Sequence, residues 1–352
     1  MTLCKELETV LATAIKALEK MVGIKDVAEA AGVSTATVSR VLADKPYVRA
    51  EVRDHVLAVV EELNYRPNRV ARSLRAQKSN IIGLIVSDIQ NPFFTLISRA
   101  VEDTAYDQGM SIFLCNTDED PAKEAMYIKL MRDERVAGII LSPTLKTSNN
   151  FIEITNSHLP VVVIDRHVPG VEIDSVQVDN FEAAYKIIDH LIGHGYQRIG
   201  ALFGIGSSTG RRRREGYLKA FEDHGIKPAA ELVLFVEARE AEGYRATREL
   251  LSLPAAPQAI FTSNGLLSAG AFRALRESSL KLPEEIAFAT FDETPWSTLV
   301  DPPFTVIEQP TYEIGRTAVE LLVSRIQDPT RSTREVTLKS KLIIRRSCGC
   351  RK

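Results

Sequence analysis

Thiols are scarce in this chain of 352 residues: Cys4, Cys115, Cys348 and Cys350 are the whole complement. Four cysteines so scattered cannot supply the disulfide framework of a small secreted domain. Cys348-Gly-Cys350 could ligate a metal, but no histidine or further cysteine completes a site, so it reads as an inert reduced tail. The six histidines show neither a nucleophile partner nor a metal spacing. Long apolar runs are missing too. None approaches the roughly 20 residues that cross a bilayer, and the charged, amphipathic N-terminus lacks the apolar core of a signal peptide. A cytoplasmic setting is the expectation. Residues 204–210, GIGSSTG, follow an apolar run as a phosphate loop would, but match neither G-x-x-x-x-G-K-[ST] nor G-x-G-x-x-G. These absences argue against an enzyme, a resident metal or a cofactor.

What is present points elsewhere. The length suits two or three domains rather than one core. A hydrophobic fraction of 45% and a charged fraction of 26% are those of an ordinary globular chain. The net charge of −2 hides an asymmetry. Residues 23–80 hold ten Lys and Arg against seven Asp and Glu, residues 1–22 balance, and the rest is acidic. A basic head on an acidic body is expected where only the head meets phosphates.

Residues 3–21 space Leu3, Leu7, Val10, Leu11, Ala14, Leu18 and Met21 three or four apart, which predicts an amphipathic helix that Gly23 ends. Residues 23–48 read as two short helices separated by Gly32-Val33, the second capped by Ser34. A third helix is expected from about Ala50 to Leu63, with Val52, Val56, Val59, Val60 and Leu63 on one face. Residues 66–80 differ. Arg66, Arg69, Arg72, Arg75 and Lys78 recur every three residues with no acid among them. Asn68 can cap a short helix there, but like charges stacked at this spacing leave it unstable alone in water. Either the stretch is a solvated linker or an anion orders it.

From Ile81 onward, apolar runs alternate with helical patterns. Strands are expected at 81–87, 111–117, 138–143, 161–165, 199–204, 232–238, 259–264, 286–292 and 305–310. Repeated βα units with near-continuous apolar strands indicate parallel sheets covered on both faces. Their number suggests two similar lobes. Ligands in such sheets sit at the carboxyl ends of the strands. Those ends carry Asp88 and Asn91, Asp165, Asn264, Asp292 and Gln309.

Head and body together resemble the lac-repressor/galactose-repressor family of bacterial regulators. The resemblance is carried by IKDVAEAAGVSTATVSRVL (24–42) followed by LNYRPNRVARSL (63–74), a specific pair at the expected distance. In the body it is carried by the order of NPFF (91–94), DR (165–166), RRRREGY (211–217), SN (263–264), FDETPW (291–296) and EQPTYEIG (308–315). It implies an all-α three-helix DNA-binding head with a hinge helix, joined to a periplasmic-binding-protein-like α/β core of two parallel-sheet lobes. The expected divisions are an extension at 1–22, a helix-turn-helix domain at 23–65, a hinge at 66–80 and a core at 81–352. The chain would cross between lobes near 178 and 309. Family members usually begin close to the head, so residues 1–20 are either a real extension or lie upstream of the true start.

The resemblance also assigns roles. The second head helix would lie in a major groove. There Thr35 and Ala36 would vary with operator sequence, and Arg40 would contact a guanine or a phosphate. Ser34, Thr37 and Ser39 would contact phosphates. On DNA the hinge would fold through Asn68, Arg69, Ala71 and Arg72, with Leu74 wedged into the minor groove. Two hinges side by side imply a homodimer and a near-palindromic operator. The leucine heptads of a tetramer are missing after Arg345.

Between the lobes the resemblance places a monosaccharide or sugar acid. Phe93, Phe94 and Trp296 would stack on it, while Asn91, Asp165, Arg166, Arg213, Asn264, Asp292 and Gln309 would bond its hydroxyls. Taken singly, Phe93 and Phe94 also suit a core, Asp165 a turn, and the arginine run a solvated face. Arg213 is chosen from the run because it lies three before Gly216, as the family's pocket arginine does. The main rival is a periplasmic-type sugar-binding protein without DNA function, which leaves residues 24–76 without a role.

Overall fold

The computed structural model describes residues 22–42, 44–65, 79–144, 159–168 and 170–350. The helix expected at 3–21 and residues 66–78 of the hinge expected at 66–80 lie outside them. The chain divides into two compact units, residues 1–78 and 79–352.

In the first unit, helices α1 (Ile24–Ala30), α2 (Thr35–Leu42) and α3 (Ala50–Glu62) surround a small aliphatic core. Val27, Val38, Val41, Val56 and Val59 are buried there, a set spaced three or four apart within each helix. Gly23 N–H donates to Asp26 Oδ2 at 2.6 Å, and Thr37 N–H donates to Ser34 Oγ at 3.1 Å, so each of the first two helices starts on a side-chain oxygen.

The second unit holds two six-stranded sheets of matching order. The first runs β11 (Glu335–Leu338), β5 (Asp174–Val178), β4 (Val161–Ile164), β3 (Gly138–Leu141), β1 (Ile81–Val86), β2 (Ser111–Asn116). The second runs β12 (Lys341–Ile343), β10 (Thr305–Glu308), β9 (Ala287–Phe291), β8 (Ala259–Thr262), β6 (Ile199–Gly204), β7 (Val233–Val236). All neighbours are parallel except β12, which runs antiparallel to β10. Helices α4 (Pro92–Asp107), α5 (Pro121–Asp133) and α10 (Thr311–Gln327) belong to the first lobe. The second lobe has α6 (Asn180–Gly193), α7 (Ser208–Asp223), α8 (Glu240–Leu251) and α9 (Gly265–Glu277). Strands β3, β4, β8 and β9 are buried along their whole length, as doubly covered sheets require.

Three strands differ from the sequence reading. β5 and β11 are short and mixed in polarity, and β12 is only three residues long, the Leu-Ile-Ile run at 342–344 too brief to stand out. β5 even begins on a charge: Asp174 is 1% exposed. Its carboxylate receives Arg325 Nε at 2.9 Å, Arg331 Nη2 at 2.8 Å and the Arg334 N–H at 2.9 Å. This buried, multiply satisfied carboxylate clamps α10 and the approach to β11 onto the first sheet. The chain therefore passes between the lobes three times, after β5, after β10 and after β11.

Helices pair through glycines. A Cβ at Gly216 of α7 would collide with Phe181 O and sit 2.8 Å from Tyr185 N on α6. One at Gly270 of α9 would collide with Glu240 O and sit 2.5 Å from Tyr244 N on α8. Backbone cannot yield as a side-chain tip can. Gly270→Ala is expected to cost about 1–3 kcal/mol through overpacking, read as a lower urea midpoint with unchanged slope. An unchanged midpoint would show that the helices separate freely.

Candidate functional site

On α2 the buried face is Val38 and Val41, while Thr35, Ala36, Ser39 and Arg40 are exposed together on the other side. Ser34 and Thr37 are bound to each other, oxygen to oxygen at 2.9 Å, so they stiffen the helix start. Arg53 of α3 bonds Asp44 and donates to Lys45 O at 2.7 Å, fixing the segment that follows α2. The helix thus offers one small, polar, singly charged face, sized for a groove. Asn68, Arg69, Ala71, Arg72 and Leu74 lie outside the described residues.

In the second unit, Asp165 and Asp292 occupy the same place in the two sheets, directly after β4 and directly after β9. Both are left-handed, with φ of +68° and +71°. Both donate their N–H to the neighbouring strand, to Val176 O at 3.2 Å and Ile307 O at 3.0 Å. Left-handed backbone is tolerated by Asp better than by most residues, and it turns the carboxylate out of the strand line. Asp292 Oδ2 accepts from Gly265 N at 3.0 Å and Oδ1 from Gln309 Nε2 at 2.5 Å. One carboxylate thereby joins the start of α9 to the link leaving β10.

Two arginines accompany them. Arg166 forks onto Glu119, Nη1 to Oε2 at 2.9 Å and Nη2 to Oε1 at 2.6 Å, and donates to Pro143 O at 2.7 Å. Its Nε lies 3.5 Å from Asp165 Oδ2 and makes no hydrogen bond among the described residues. Burial opposes the Arg166 charge, but the Glu119 bonds and the Asp165 carboxylate outweigh it and raise its pKa. Arg213 of α7 is 5% exposed. Its Nε donates to Asn180 Oδ1 at 2.7 Å, its Nη1 to Ser263 O, and its guanidinium carbon lies 3.7 Å over the Phe291 ring. No carboxylate pairs with it within 4.0 Å among the described residues. Burial accordingly lowers its pKa, against Asp292 and Asp165. Burial also pushes the Asp165 carboxyl above the usual carboxylate range, with Arg166 and Arg213 opposing.

A cleft of about 370 Å³, part of it open solvent, is lined from the first lobe by Phe93 and Leu96 and from the second by Asp292, Glu293 and Glu308, with Gln309 and Thr311 between. Among the effector candidates, Phe93, Asp292 and Gln309 line this cleft. Phe94 stacks edge-on against Phe93 at 5.1 Å inside the first-lobe core and does not line it. Asn91 and Asn264 each cap a helix, through bonds from Phe93 N at 3.1 Å and Leu267 N at 2.8 Å. Trp296 packs against the second-lobe core, its indole N–H without a hydrogen-bond partner among the described residues. Sequence reasoning missed Glu119, Asn180 and Phe291, which hold the two arginines. No local signal marks them, because each acts on a residue distant in sequence.

Residues 23–68 match the family described as "Bacterial regulatory proteins, lacI family". Residues 79–346 match "Periplasmic binding proteins and sugar binding domain of LacI family". The HTH-type transcriptional repressor PurR of Pasteurella multocida is 35% identical over 333 residues, 94% of this chain and 100% of that one. The chain belongs to the lacI family. The ribose operon repressor of Halalkalibacterium halodurans is 35% identical over 326 residues, 92% of this chain and 96% of that one. The lac repressor dimer crystallised with operator and the anti-inducer ONPF superposes with a TM-score of 0.83 at 28% identity, covering 94% of this chain and 99% of that one. This lacI-family chain is thus a DNA-binding transcription regulator with a sugar-binding type of core. The rival reading, a binding protein without DNA function, fails on the match of the head.

The charge on Asp165 gives a pH test. A carboxyl raised in the folded state binds its proton more readily there than in the unfolded chain. Its contribution to stability therefore falls as pH rises from about 4, its unfolded value, through its folded value. Asp165→Asn should melt above wild type at pH 7 in the absence of effector, and the gap should close towards pH 4. A lower melting point for the variant at pH 7 would mean that Arg166 and Arg213 outweigh the burial.

Proposed function

We propose that this regulator is a repressor that binds a near-palindromic operator as a homodimer and is switched by a monosaccharide or sugar acid between its lobes. Its role is regulation rather than catalysis, exercised in the cytoplasm, where bacterial DNA lies. On the DNA side the proposal rests on the exposed face of α2, with Thr35, Ala36 and Arg40 reading bases and Ser34, Thr37 and Ser39 meeting phosphates. Both curated relatives above are named as repressors, and the lac repressor was crystallised as a dimer on operator. A dimer sets two recognition helices in successive major grooves, one helical turn apart. Asn68, Arg69, Ala71 and Arg72 would fold against phosphates that cancel their repulsion, and Leu74 would enter the minor groove at the dyad.

On the effector side one observation carries the reading: Arg213 is buried on neutral acceptors and an aromatic face, within electrostatic reach of two left-handed aspartates, one from each lobe. Buried charges are ordinarily paired. A polyol offers acceptors to Arg213 and donors to Asp165 and Asp292 at once, and a sugar acid adds a carboxylate. Arg166, held by Glu119, and Gln309 would complete the ring, with Phe93 beneath the sugar face. Asn91, Phe94, Asn264 and Trp296 are proposed to shape the wall rather than to bond the ligand.

A thermal-shift panel of pentoses, hexoses and sugar acids, beginning with ribose, tests this on the full chain. A ligand at 100 times its dissociation constant adds about 2.7 kcal/mol. Arg213→Lys keeps the charge but loses the fork. It should weaken that ligand by roughly 10- to 100-fold, the equivalent of about 1.5–3 kcal/mol, while operator binding persists. Arg40→Ala should do the reverse, weakening operator by a factor in the range of about 5–150 with the sugar response intact. Panel-wide silence, or an Arg213→Lys variant with unchanged affinity, would refute the cleft assignment.

A further inference from the structure

Away from the cleft, the second lobe gathers two thiols and two imidazoles. The last turn of α6 carries His190, and its C-terminal cap is His194, one turn on, with ring centroids 4.7 Å apart. The chain after β12 makes a short turn at Arg346–Cys348. Ser347 pins that turn, its Oγ donating to Phe288 O at 2.6 Å and accepting from Thr305 N at 2.8 Å. Gly349 follows at φ +90°, a left-handed bend where a Cβ would also lie 2.8 Å from Tyr196 Oη. The bend returns Cys350 towards Cys348, and their sulfurs stand 3.4 Å apart as free thiols.

We propose that His190, His194, Cys348 and Cys350 form a site for a tetrahedral, borderline-soft divalent cation of the zinc class. His190 Nε2 lies 3.3 Å from Cys348 Sγ and 3.7 Å from Cys350 Sγ. His194 Nε2 lies 3.0 Å from Cys350 Sγ. A tetrahedral zinc, with bonds of about 2.0–2.3 Å, holds ligand atoms roughly 3.3–3.8 Å apart. The ligand atoms of His190, Cys348 and Cys350 already match that spacing, all lying within 4.8 Å of one another. His194, exposed and already beside Cys350, is the fourth donor the proposal adds to these three. Two sulfurs and two imidazole nitrogens in tetrahedral array are the donor set that selects zinc over harder cations.

The donors could not be joined from the sequence, where His190 and Cys348 stand 158 positions apart and the Cys-Gly-Cys looks partnerless. On binding, each thiol gives its proton to solvent and each imidazole donates a neutral nitrogen. The bound cation would tie the end of the chain to the last turn of α6. A disulfide is the other fate of two thiols, but its S–S bond of about 2.05 Å leaves both histidines without a role.

Untagged full-length protein, purified under reduction and freed of metal with a chelator, provides the test. Titrated with zinc it should bind close to one ion per chain and melt at a higher temperature. Cobalt(II) in its place should show visible bands of tetrahedral geometry and a near-ultraviolet thiolate charge-transfer band. Cys348 is buried in the core and its replacement could unfold the lobe, so Cys350→Ser and His194→Gln are the variants to use. Each should fold, lose the zinc-dependent rise in melting point and bind cobalt at least 10-fold more weakly. Wild-type protein that takes up no zinc and gives no cobalt bands would overturn the proposal, as would variants with wild-type metal affinity.

Discussion

A guanidinium enclosed in the second lobe, with no carboxylate within 4.0 Å among the described residues, is the constraint around which α6, α7 and the ends of β8 and β9 are organised. Removing a cation from water costs several kcal/mol unless the surroundings replace its hydration. Here Asn180 Oδ1, Ser263 O and the Phe291 ring do so for Arg213. Each depends on a different element: Asn180 opens α6, Ser263 follows β8, and Phe291 ends β9. The approach of α7 to α6 that brings Arg213 within reach of Asn180 depends in turn on Gly216, one turn further along α7. Helix packing and site chemistry are therefore the same contact seen from two sides.

The duplication of the lobes extends that constraint into symmetry. Asp165 and Asp292 are copies of one device, a strand that ends in a left-handed aspartate tethered to its neighbour. Their surroundings differ. Asp292 is fixed by Gly265 and Gln309, whereas Asp165 lies beside an arginine that forks onto Glu119. A carboxylate fixed by protein donors is a rigid wall. A desolvated carboxylate beside a shared arginine is a group whose energy falls when a ligand supplies donors. The asymmetry gives an effector something to change, which a switch requires.

Much of this architecture was legible in the sequence, because burial on both faces writes long apolar runs such as those of β1, β4, β6 and β9. β5, β11 and β12 were not legible, since their stability comes from Asp174 and its arginines or from an edge position rather than from apolar runs. The exposed face of α2 followed from its period, with Val38 and Val41 marking the opposite side. Of the cleft lining, Asp292 and Gln309 were legible at strand ends, and Phe93 only through the family resemblance. Glu119 and Asn180 were invisible because a side chain's distant partner leaves no trace at its own position. The same reason hid His190 and His194 from Cys348 and Cys350.

Cleft and recognition helix are proposed to belong to one energetic system. Isothermal titration of the panel's tightest sugar into the free protein and into its operator complex reads that coupling. Coupling of the ordinary size, about 1–3 kcal/mol, predicts affinities that differ by roughly 5- to 150-fold. Operator affinity should change by the same factor when sugar is saturating. Equal sugar affinities in the two states would mean that cleft and helix act independently, whatever the tightness of either ligand.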